Sequence, residues 1–395
     1  MVPEKRTVVA ARLMSEFALR TGLSPPAQHP QRYLWTDAFA VCNFLELFAR
    51  TGDQSYRRCA ASLIEQVHRV LGRFRDDDVR QGWISGLEEE TGSRHPTIGG
   101  LRIGKPLRER AAHEEMDERL EWDRDGQYFH YLTKWMHALC QASFALDEPH
   151  YASWAVQLGE AAFKGFVRNS RSGEVIGVYW KMSTDLARPL VAASGLHDAL
   201  DGFITFREAR HASTSLLGQA ACELDGGIAA FEELCENKDW STDDPLGLGG
   251  LLFDACGLSL LMIEPNDVRF LETLLDSCRT GLAMLVAQRQ LQRPAFYRLA
   301  FRELGLAIGL SAIPIIARQT RTFPISPAAQ SSIDFLASSA SLGEDILAFW
   351  LPETQRQQKN WRDHQDINDV MLATTLIPEA FLRIAAHRLG GRQPM

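Results

Sequence analysis

Apolar residues recur at helical spacing along most of this chain, and the alternation typical of strands is rare. Two stretches predict short β-hairpin arms, one at 173–182 and one that pairs 83–90 with 97–104. Neither is long enough to form a sheet of its own. The pattern therefore predicts an all-α protein. We place its twelve helices at 5–21, 35–51, 53–74, 126–145, 148–169, 197–214, 218–236, 244–262, 265–288, 295–318, 327–349 and 366–389.

Alternate helices differ in how apolar their surfaces are. Segments such as VCNFLELF (41–48) and LGLAIGLSAIPII (304–316) are apolar almost all round, whereas 53–74 is rich in charge. A helix that is apolar on every side is buried on more than one side. The segments 44–63 and 142–158 also share an outline in which a helix ends, a short polar turn follows and an aromatic residue opens the next helix.

Six helical hairpins of this kind predict an (α/α)6 barrel in which inner and outer helices alternate. We find no linker rich in Pro, Gly or Ser, so we expect residues 1–395 to form a single domain. The inner helices would be 35–51, 126–145, 197–214, 244–262, 295–318 and 366–389.

One long stretch, 75–125, interrupts the succession of helices between the third and the fourth. Its second half is dense in charge, but Trp83, Leu101, Ile103 and Trp122 are also present. A loop of this length is either functional or disordered. The apolar residues favour an ordered loop or lid inserted into the barrel.

Composition narrows the function classes. The net charge is −8, which argues against a nucleic-acid-binding protein because phosphate affinity comes mainly from Lys and Arg. No uninterrupted apolar run reaches membrane-spanning length, since Arg302 and Glu303 interrupt 299–317, and the first residues lack a signal-peptide pattern. Seven cysteines without CxxC spacing indicate reduced, mostly buried thiols. We expect a cytoplasmic protein that does not bind membranes.

Candidate chemistry collects where the inner helices begin, because these helices would run in one direction and their N-termini would meet at one end of the barrel. Aromatic, histidine and carboxylate side chains occupy those starts. The predicted catalytic residues are Asp37, His137, His197, Asp201, His364 and Asp366. The predicted substrate-binding residues are Arg32, Trp35, Trp122, Tyr128, His130, Lys134, Arg298 and Trp361.

Helix capping is the main alternative for several of the aspartates. Asp198, Asp244 and Asp366 stand where an N-cap or first-turn acid belongs, which stabilises a helix by about 1 kcal/mol without any catalysis. Capping does not explain the neighbouring histidines and tryptophans. His130, Lys134 and His137 lie at i, i+4 and i+7, so they share one stripe of a helix, and three ionisable groups on one stripe favour a polar pocket over a dry core.

Metal and nucleotide sites are weakly supported by the sequence. HEEMD (113–117) lacks the second histidine of an HExxH zinc motif. LGLGG (246–250) lacks the preceding strand of a dinucleotide fingerprint, and the chain has no P-loop and no GxSxG. We therefore predict no metal and no cofactor.

The chain resembles the six-hairpin glycosidase superfamily and, within it, N-acylglucosamine 2-epimerase-like and sugar-isomerase proteins. The resemblance rests on the twelve-helix outline and on local matches at 35–56, 134–155, 195–202 and 363–369. It implies a Met-His pair in an inner helix, similar to Met136-His137, and later histidines that correspond to His197 and His364. The family acid three residues after such a histidine is absent, because Cys140 and Leu200 stand there.

Three functions follow as hypotheses. Paired carboxylates among Asp37, Asp198, Asp201 and Asp366 would hydrolyse a glycosidic bond. Paired histidines would instead move a proton in a sugar epimerase or isomerase, with Arg32 or Lys134 polarising the sugar oxygen. A barrel that lost catalysis would only bind sugar or act as a scaffold. We expect a small-molecule carbohydrate as the partner, favour hydrolysis slightly, and leave a homodimer open.

Overall fold

The computed structural model describes residues 2–218, 221–261 and 265–384. The chain divides into two compact units, one formed by Ala18–Glu236 and the other by Met1–Phe17 with Asn237–Met395. The first helix, α1, covers Pro3–Arg20. The prediction of a single domain stays a prediction.

The unit Ala18–Glu236 contains eight further helices and five short strands. Its helices are α2 (Leu34–Thr51), α3 (Gln54–Leu71), α4 (Glu89–Arg94), α5 (Glu118–Glu121), α6 (Phe129–Ala145), α7 (His150–Phe166), α8 (Asp198–Leu217) and α9 (Asp225–Cys235). Its strands are β1 (Gln127–Tyr128), β2 (Val167–Asn169), β3 (Val175–Val178), β4 (Lys181–Met182) and β5 (Pro189–Val191). A 3-10 turn, Cys222–Leu224, precedes α9.

Helices that follow one another pack as hairpins, and their turns have a local cause. Gly52 ends α2 in the left-handed region at φ 71°, where its amide donates to the carbonyl of Phe48. Asp53 then caps α3 by accepting from the Ser55 amide. The pairs α2–α3, α6–α7 and α8–α9 pack in this way, and α6 also contacts α2 and α8. All residues from Leu34 to Leu47 in α2 are buried, as expected for a helix with neighbours on several sides.

The strand predictions were right in one place and wrong in the other. Residues 173–182 do contain β3 and β4, but these pair with other segments: β3 with β2, and β4 with β1 and β5. The predicted hairpin of 83–90 with 97–104 is wrong. That region holds α4 and a single bridge from Arg73 to Trp83, because its glycines support turns instead of a ladder.

The stretch 75–125 is held by ion pairs. The buried carboxylate of Asp125 accepts from Arg102 at 2.5 Å and from the Gly104 amide at 3.0 Å. Arg80 contacts Glu109 at 2.5 Å and, outside the stretch, Asp185 at 2.7 Å. A lid function for this stretch stays a prediction.

In the described part of the other unit, all regular elements are helices. Its helices are α10 (Pro245–Leu261), α11 (Pro265–Ala287), α12 (Ala300–Leu310), α13 (Ile313–Gln319), α14 (Pro327–Ser338), α15 (Ser341–Trp350), α16 (Glu353–Arg356), α17 (Lys359–Arg362), α18 (Gln365–Leu376) and α19 (Glu379–Leu382). Two 3-10 turns, Gln290–Gln292 and Ala295–Tyr297, separate α11 from α12. Helix α12 packs against α10, α15 and α18.

Three long predicted helices are broken here. The helix predicted at 295–318 begins only at Ala300 and is interrupted at 311–312, before Pro314 at the start of α13, since proline removes a helical hydrogen bond. The helix at 327–349 breaks at 339–340. The helix at 366–389 stops at Leu376, ahead of Pro378, and its residues after 384 lie outside the described part of the chain.

The segment Ala300–Gln319 is long and apolar enough to cross a membrane by length and composition alone. Because 72% of that window is buried, it has the character of a core segment, which passes the same test. The all-α class and the succession of hairpins that the sequence predicts for an (α/α)6 fold are confirmed.

Candidate active site

Helices α6 and α8 are joined by two pairs of polar side chains where they pack against each other, and we call each pair a rung. His130, Lys134 and His137 occupy one stripe of α6, as their spacing predicts. Asp201 and Glu208 lie seven residues apart on α8 and face that stripe. The first rung joins Lys134 to Asp201, and the second joins His137 to Glu208.

The second rung is a buried histidine–carboxylate pair. His137 Nδ1 lies 2.8 Å from Glu208 Oε2, and both side chains are 1% exposed. The other carboxylate oxygen accepts from Gln141 Nε2 at 3.3 Å. An ionised carboxylate only accepts hydrogen bonds, so the imidazole nitrogen that pairs with it is the one that carries a proton. Glu208 is absent from the sequence prediction.

The first rung joins a lysine, a threonine and an aspartate. Asp201 Oδ1 lies 2.5 Å from Lys134 Nζ, and Asp201 Oδ2 accepts from Thr133 Oγ1 at 2.5 Å. The side chains of Lys134 and Asp201 are 12% and 6% exposed. The rung therefore holds the lysine ammonium in a fixed place on the same stripe as His137.

Aromatic side chains surround His130 at the start of α6. Its ring is parallel to Trp180 at 6.3 Å and stacks on Tyr128 at 5.4 Å. Burial lowers the pKa of His130 to about 4, the nearby Asp201 carboxylate opposes this, and Lys134 lowers it further. His130 is therefore neutral at pH 7 and can act as a hydrogen-bond donor or acceptor.

Two tyrosines that sequence reasoning missed join the same region. Tyr33 Oη and Tyr131 Oη lie 2.6 Å apart, and burial raises the pKa of Tyr131 well above its usual value. Lys105, from the 75–125 stretch, lies 5.4 Å above the ring of Tyr33. Tyr131 directly follows His130 but lies off the stripe of His130, Lys134 and His137, and no local pattern singled out either tyrosine.

Three predicted residues at the start of α2 form a local cluster. Arg32 Nη1 lies 3.4 Å from Asp37 Oδ1, and the Tyr33 amide donates to Asp37 Oδ2 at 2.9 Å. Trp35 packs on Phe39 at 4.4 Å and is 6% exposed. Asp37 is thus engaged by a guanidinium and a backbone amide, and Trp35 has the setting of a core residue.

His197 and Asp198 open α8. His197 is half-buried at the N-cap position, and Asp198 Oδ2 accepts from the Gly195 amide at 2.9 Å. Asp244 caps α10, as the capping alternative predicts, because its carboxylate accepts from the Gly247 amide in the first turn of that helix at 2.8 Å. Arg302 also contacts Asp244, at 2.5 Å.

Four predicted residues belong to the other unit. Arg298 forms a buried, bidentate pair with Glu303, whose Oε2 also accepts from Trp350 Nε1 at 2.7 Å. Trp361 packs on Trp350 at 5.7 Å and is 2% exposed, so Arg298 and Trp361 contribute to the packing of this unit. His364 and Asp366 lie at the start of α18, with the His364 ring exposed and 5.7 Å from Phe301.

Trp122 and Tyr128 join an aromatic group in the unit Ala18–Glu236. Trp122 is 58% exposed and contacts Trp180 edge-on at 5.0 Å. Trp180 in turn lies 4.8 Å from Tyr128, which is 3% exposed. Burial raises the pKa of Tyr128. The structure thus brings Trp122, Tyr128 and His130 together around Trp180, and Asp201 and Lys134 lie near enough to affect the pKa of His130.

Within the described residues, no group of three or more His, Cys, Asp or Glu side chains is placed to hold a metal ion. No disulfide joins the seven cysteines, all of which lie in the described part of the chain. Cys140, on α6, is buried, and burial raises the pKa of its thiol well above the usual value. A buried protonated thiol is a poor nucleophile, so Cys140 has no evident chemical role in this site.

No family model and no curated protein sequence matches the chain. Among solved structures, cellobiose 2-epimerase from Spirochaeta thermophila is similar, with 10% identity over 93% of this chain and 98% of that chain, at a TM-score of 0.47. A sugar epimerase from a ruminal bacterium has 10% identity over 80% and 76%, at 0.46. An unsaturated glucuronyl hydrolase specific for heparin has 11% identity over 70% and 83%, at 0.32. The solved structures to which this chain is similar thus include the epimerase and hydrolase classes that its sequence resembles.

Proposed function

We propose that this protein is a carbohydrate-active enzyme that moves a proton at a sugar carbon, as an epimerase or an aldose–ketose isomerase does, with His137 as the base. The observation that carries the proposal is the buried contact of 2.8 Å between His137 Nδ1 and Glu208 Oε2. A histidine oriented by a carboxylate is a recurring arrangement in general base catalysis.

The proposed reaction needs no cofactor, because it only moves a proton and rearranges the electrons of the sugar. His137 takes the proton from the carbon next to the carbonyl of the ring-opened sugar, and the electrons of that C–H bond move to the carbonyl oxygen. Returning a proton to the opposite face of the carbon gives the epimer, and returning one to the neighbouring carbon gives the isomer. His130 and His197 are the candidates in the same unit for the second proton carrier, and the ammonium of Lys134 would stabilise the developing oxyanion.

Hydrolysis by paired carboxylates has less support. In the unit that holds the histidine stripe, Asp37 contacts Arg32 at 3.4 Å and Asp201 contacts Lys134 at 2.5 Å. Hydrolysis needs one carboxyl group to protonate the leaving oxygen and a second to activate water or attack, and both of these carboxylates are engaged by cations. Proton transfer by histidine is therefore better supported than hydrolysis.

The test is solvent exchange. Purified protein is incubated in heavy water with reducing sugars, namely glucose, mannose, N-acetylglucosamine and cellobiose, and deuterium at carbon 2 is measured by NMR. We expect exchange with at least one sugar and its loss in His137→Gln, while His211→Gln, an exposed position on α8, keeps it. Exchange that persists in His137→Gln contradicts the role of His137. Release of monosaccharide from glycosides without exchange supports hydrolysis instead, and binding without either reaction supports a sugar-binding protein.

The expected partner and the expected compartment are consistent with this proposal. A carbohydrate is the natural partner of a site that combines indole rings with ionisable hydrogen-bonding groups. Seven cysteines without a disulfide suit a reducing compartment such as the cytoplasm.

A further inference from the structure

Lys105 is a half-buried lysine whose charge has no carboxylate beside it. All seven lysines lie in the described part of the chain, and six of them are either paired or open to water. The paired lysines are Lys134, Lys164, Lys181 and Lys359, and the exposed ones are Lys5 and Lys238. No hydrogen-bond acceptor among the described residues contacts the Lys105 ammonium, which lies 5.4 Å from the ring of Tyr33. A charge that is partly withdrawn from water favours an anionic partner.

The backbone that carries Lys105 is held on both sides. The Gly104 amide donates to Asp125 Oδ1 at 3.0 Å, and the Lys105 carbonyl accepts from Arg75 Nη1 at 2.7 Å. Gly104 has a φ of 91°, and a Cβ there would collide with the carbonyl oxygen of Arg32, so glycine lets the stretch approach the start of α2. The fold therefore fixes the point from which the Lys105 side chain extends.

Tyr33 and Tyr131 add hydroxyl donors near this ammonium. The ring of Tyr33 faces Lys105, and its hydroxyl oxygen lies 2.6 Å from that of Tyr131. In such a pair one hydroxyl donates to the other, and the accepting hydroxyl keeps its own proton for a further hydrogen bond. Burial raises the pKa of Tyr131 well above its usual value, so its hydroxyl stays protonated at neutral pH. Both residues are half-buried, which leaves them accessible to a ligand.

Two neighbouring cations are already balanced by carboxylates. Lys134, one helical turn after Tyr131 on α6, pairs with Asp201, and Arg32 pairs with Asp37 at the start of α2. Within the described residues, the Lys105 charge is therefore the one in this group that no carboxylate balances. Hydrogen bonds to an ionised acceptor are about twice as strong as those between neutral groups. The group therefore favours an anion over a neutral hydroxyl.

We propose that Lys105 and the hydroxyl pair of Tyr33 and Tyr131 bind an anionic group of the substrate, so that the preferred substrate is an acidic sugar bearing a carboxylate or a phosphate. The proposal rests on the proposed function for the reaction, whereas anion binding requires no turnover. Tyr131 directly follows His130, and their rings contact at 4.7 Å. An anion bound here would therefore hold the acidic end of the sugar beside the α6 stripe.

The test compares sugars that differ in charge. Affinities for glucose, glucuronate and glucose 6-phosphate are measured by calorimetry at low ionic strength on the wild type, on Lys105→Gln and on Lys164→Gln. Lys164 is 77% exposed on α7 of the same unit, so its variant removes the same charge away from the site. We expect at least one acidic sugar to bind about tenfold more tightly than glucose, and Lys105→Gln alone to abolish this preference. The acidic sugar with the higher affinity distinguishes a carboxylate from a phosphate site.

Equal or absent binding of the acidic sugars by the wild type overturns the proposal, and so does a charge preference that persists in Lys105→Gln. Deuterium exchange at carbon 2 of the same three sugars separates this proposal from the proposed function. A charge preference that depends on Lys105, in a protein without exchange, supports the anion site and rejects the reaction. Exchange that is equal for neutral and acidic sugars and unaffected by Lys105→Gln supports the reaction and rejects the anion site.

Tyr33→Phe supplies a second arm because it removes one hydroxyl and keeps the ring against Lys105. We expect the affinity for the acidic sugar to fall by about threefold to tenfold while glucose binding is unchanged, with folding checked by circular dichroism. Lys105→Arg keeps the charge and should retain the preference. Equal loss for glucose and the acidic sugar in a folded Tyr33→Phe protein counts against the site, as does a Lys105→Arg protein that behaves like Lys105→Gln.

Discussion

Glu208 lies 71 residues after His137 in the chain, yet its carboxylate contacts the imidazole Nδ1 at 2.8 Å. Both side chains are almost completely buried, so water does not compete for this hydrogen bond. The contact depends on α6 and α8 packing side by side, and it holds the imidazole of His137 in one orientation.

Removing the charge of Glu208 should slow catalysis more than it weakens binding. We expect Glu208→Gln to lower kcat by roughly 100-fold or more with a small change in KM, because a neutral amide holds the ring but stabilises the protonated imidazole poorly. Steady-state kinetics with the best sugar from the exchange experiment provides the measurement. Glu232→Gln, an exposed position on α9, is the control, and a Glu208→Gln protein with unchanged kcat would contradict the role.

Lys134 and Asp201 should be strongly coupled in stability. Since both side chains are mostly buried, loss of either one leaves the other charge without its partner. We expect Lys134→Met and Asp201→Asn each to lower the free energy of unfolding by about 1–3 kcal/mol, and the double variant to cost less than their sum. Urea denaturation measures all four proteins, and strict additivity would show that the rung is not a working pair.

Stability should fall in acid partly because of a histidine outside the site. His68 is buried, its Nε2 accepts from Trp135 Nε1 at 3.0 Å, and burial lowers its pKa to about 3. Between pH 3 and 6.5 the unfolded chain binds a proton there that the folded chain does not, so stability rises with pH across this window and is lost as the pH falls.

Each such histidine adds a slope of up to about 1.4 kcal/mol per pH unit, and His130, with a pKa of about 4, acts in the same direction between pH 4 and 6.5. We expect His68→Gln to flatten the dependence of unfolding free energy on pH, whereas the exposed control His113→Gln leaves it unchanged. An identical slope in wild type and His68→Gln would show that His68 is not held neutral by the fold.

Two adjacent glycines of α10 should respond in opposite ways to alanine. A Cβ on Gly249 would meet the Gly305 carbonyl oxygen of α12 at 2.3 Å, and a backbone atom cannot rotate away. A Cβ on Gly250 would have nothing within 4 Å. We expect Gly249→Ala to destabilise by about 1–3 kcal/mol and Gly250→Ala to stabilise by about 0.5–1 kcal/mol, because alanine is the better helix former. Thermal unfolding of both variants checks the pair, and equal effects would mean that α10 and α12 are not in close contact there.

Helix identity and burial could be predicted from the sequence because they depend on local periodicity. The segments read as apolar on all sides, such as α2 and α10, are buried along nearly their whole length. Helix ends were less accurate where a proline or a single turn decides them, as at 311–312 and 376–378. The His130, Lys134 and His137 stripe followed from helical geometry alone.

Partners across helices were decided by tertiary structure alone. Nothing near Glu208 in the sequence FREARH marks it as the partner of His137, and nothing near Trp180 marks it as the neighbour of Trp122. Asp37, whose residue type suggested catalysis, is engaged by an ion pair and a backbone amide. Asp244, for which the sequence left capping and catalysis open, caps a helix. Local spacing determines which face of a helix a side chain occupies. Which charge, ring or backbone that face meets depends on the packing of segments far apart in the chain, and that packing fixes the chemistry of each side chain.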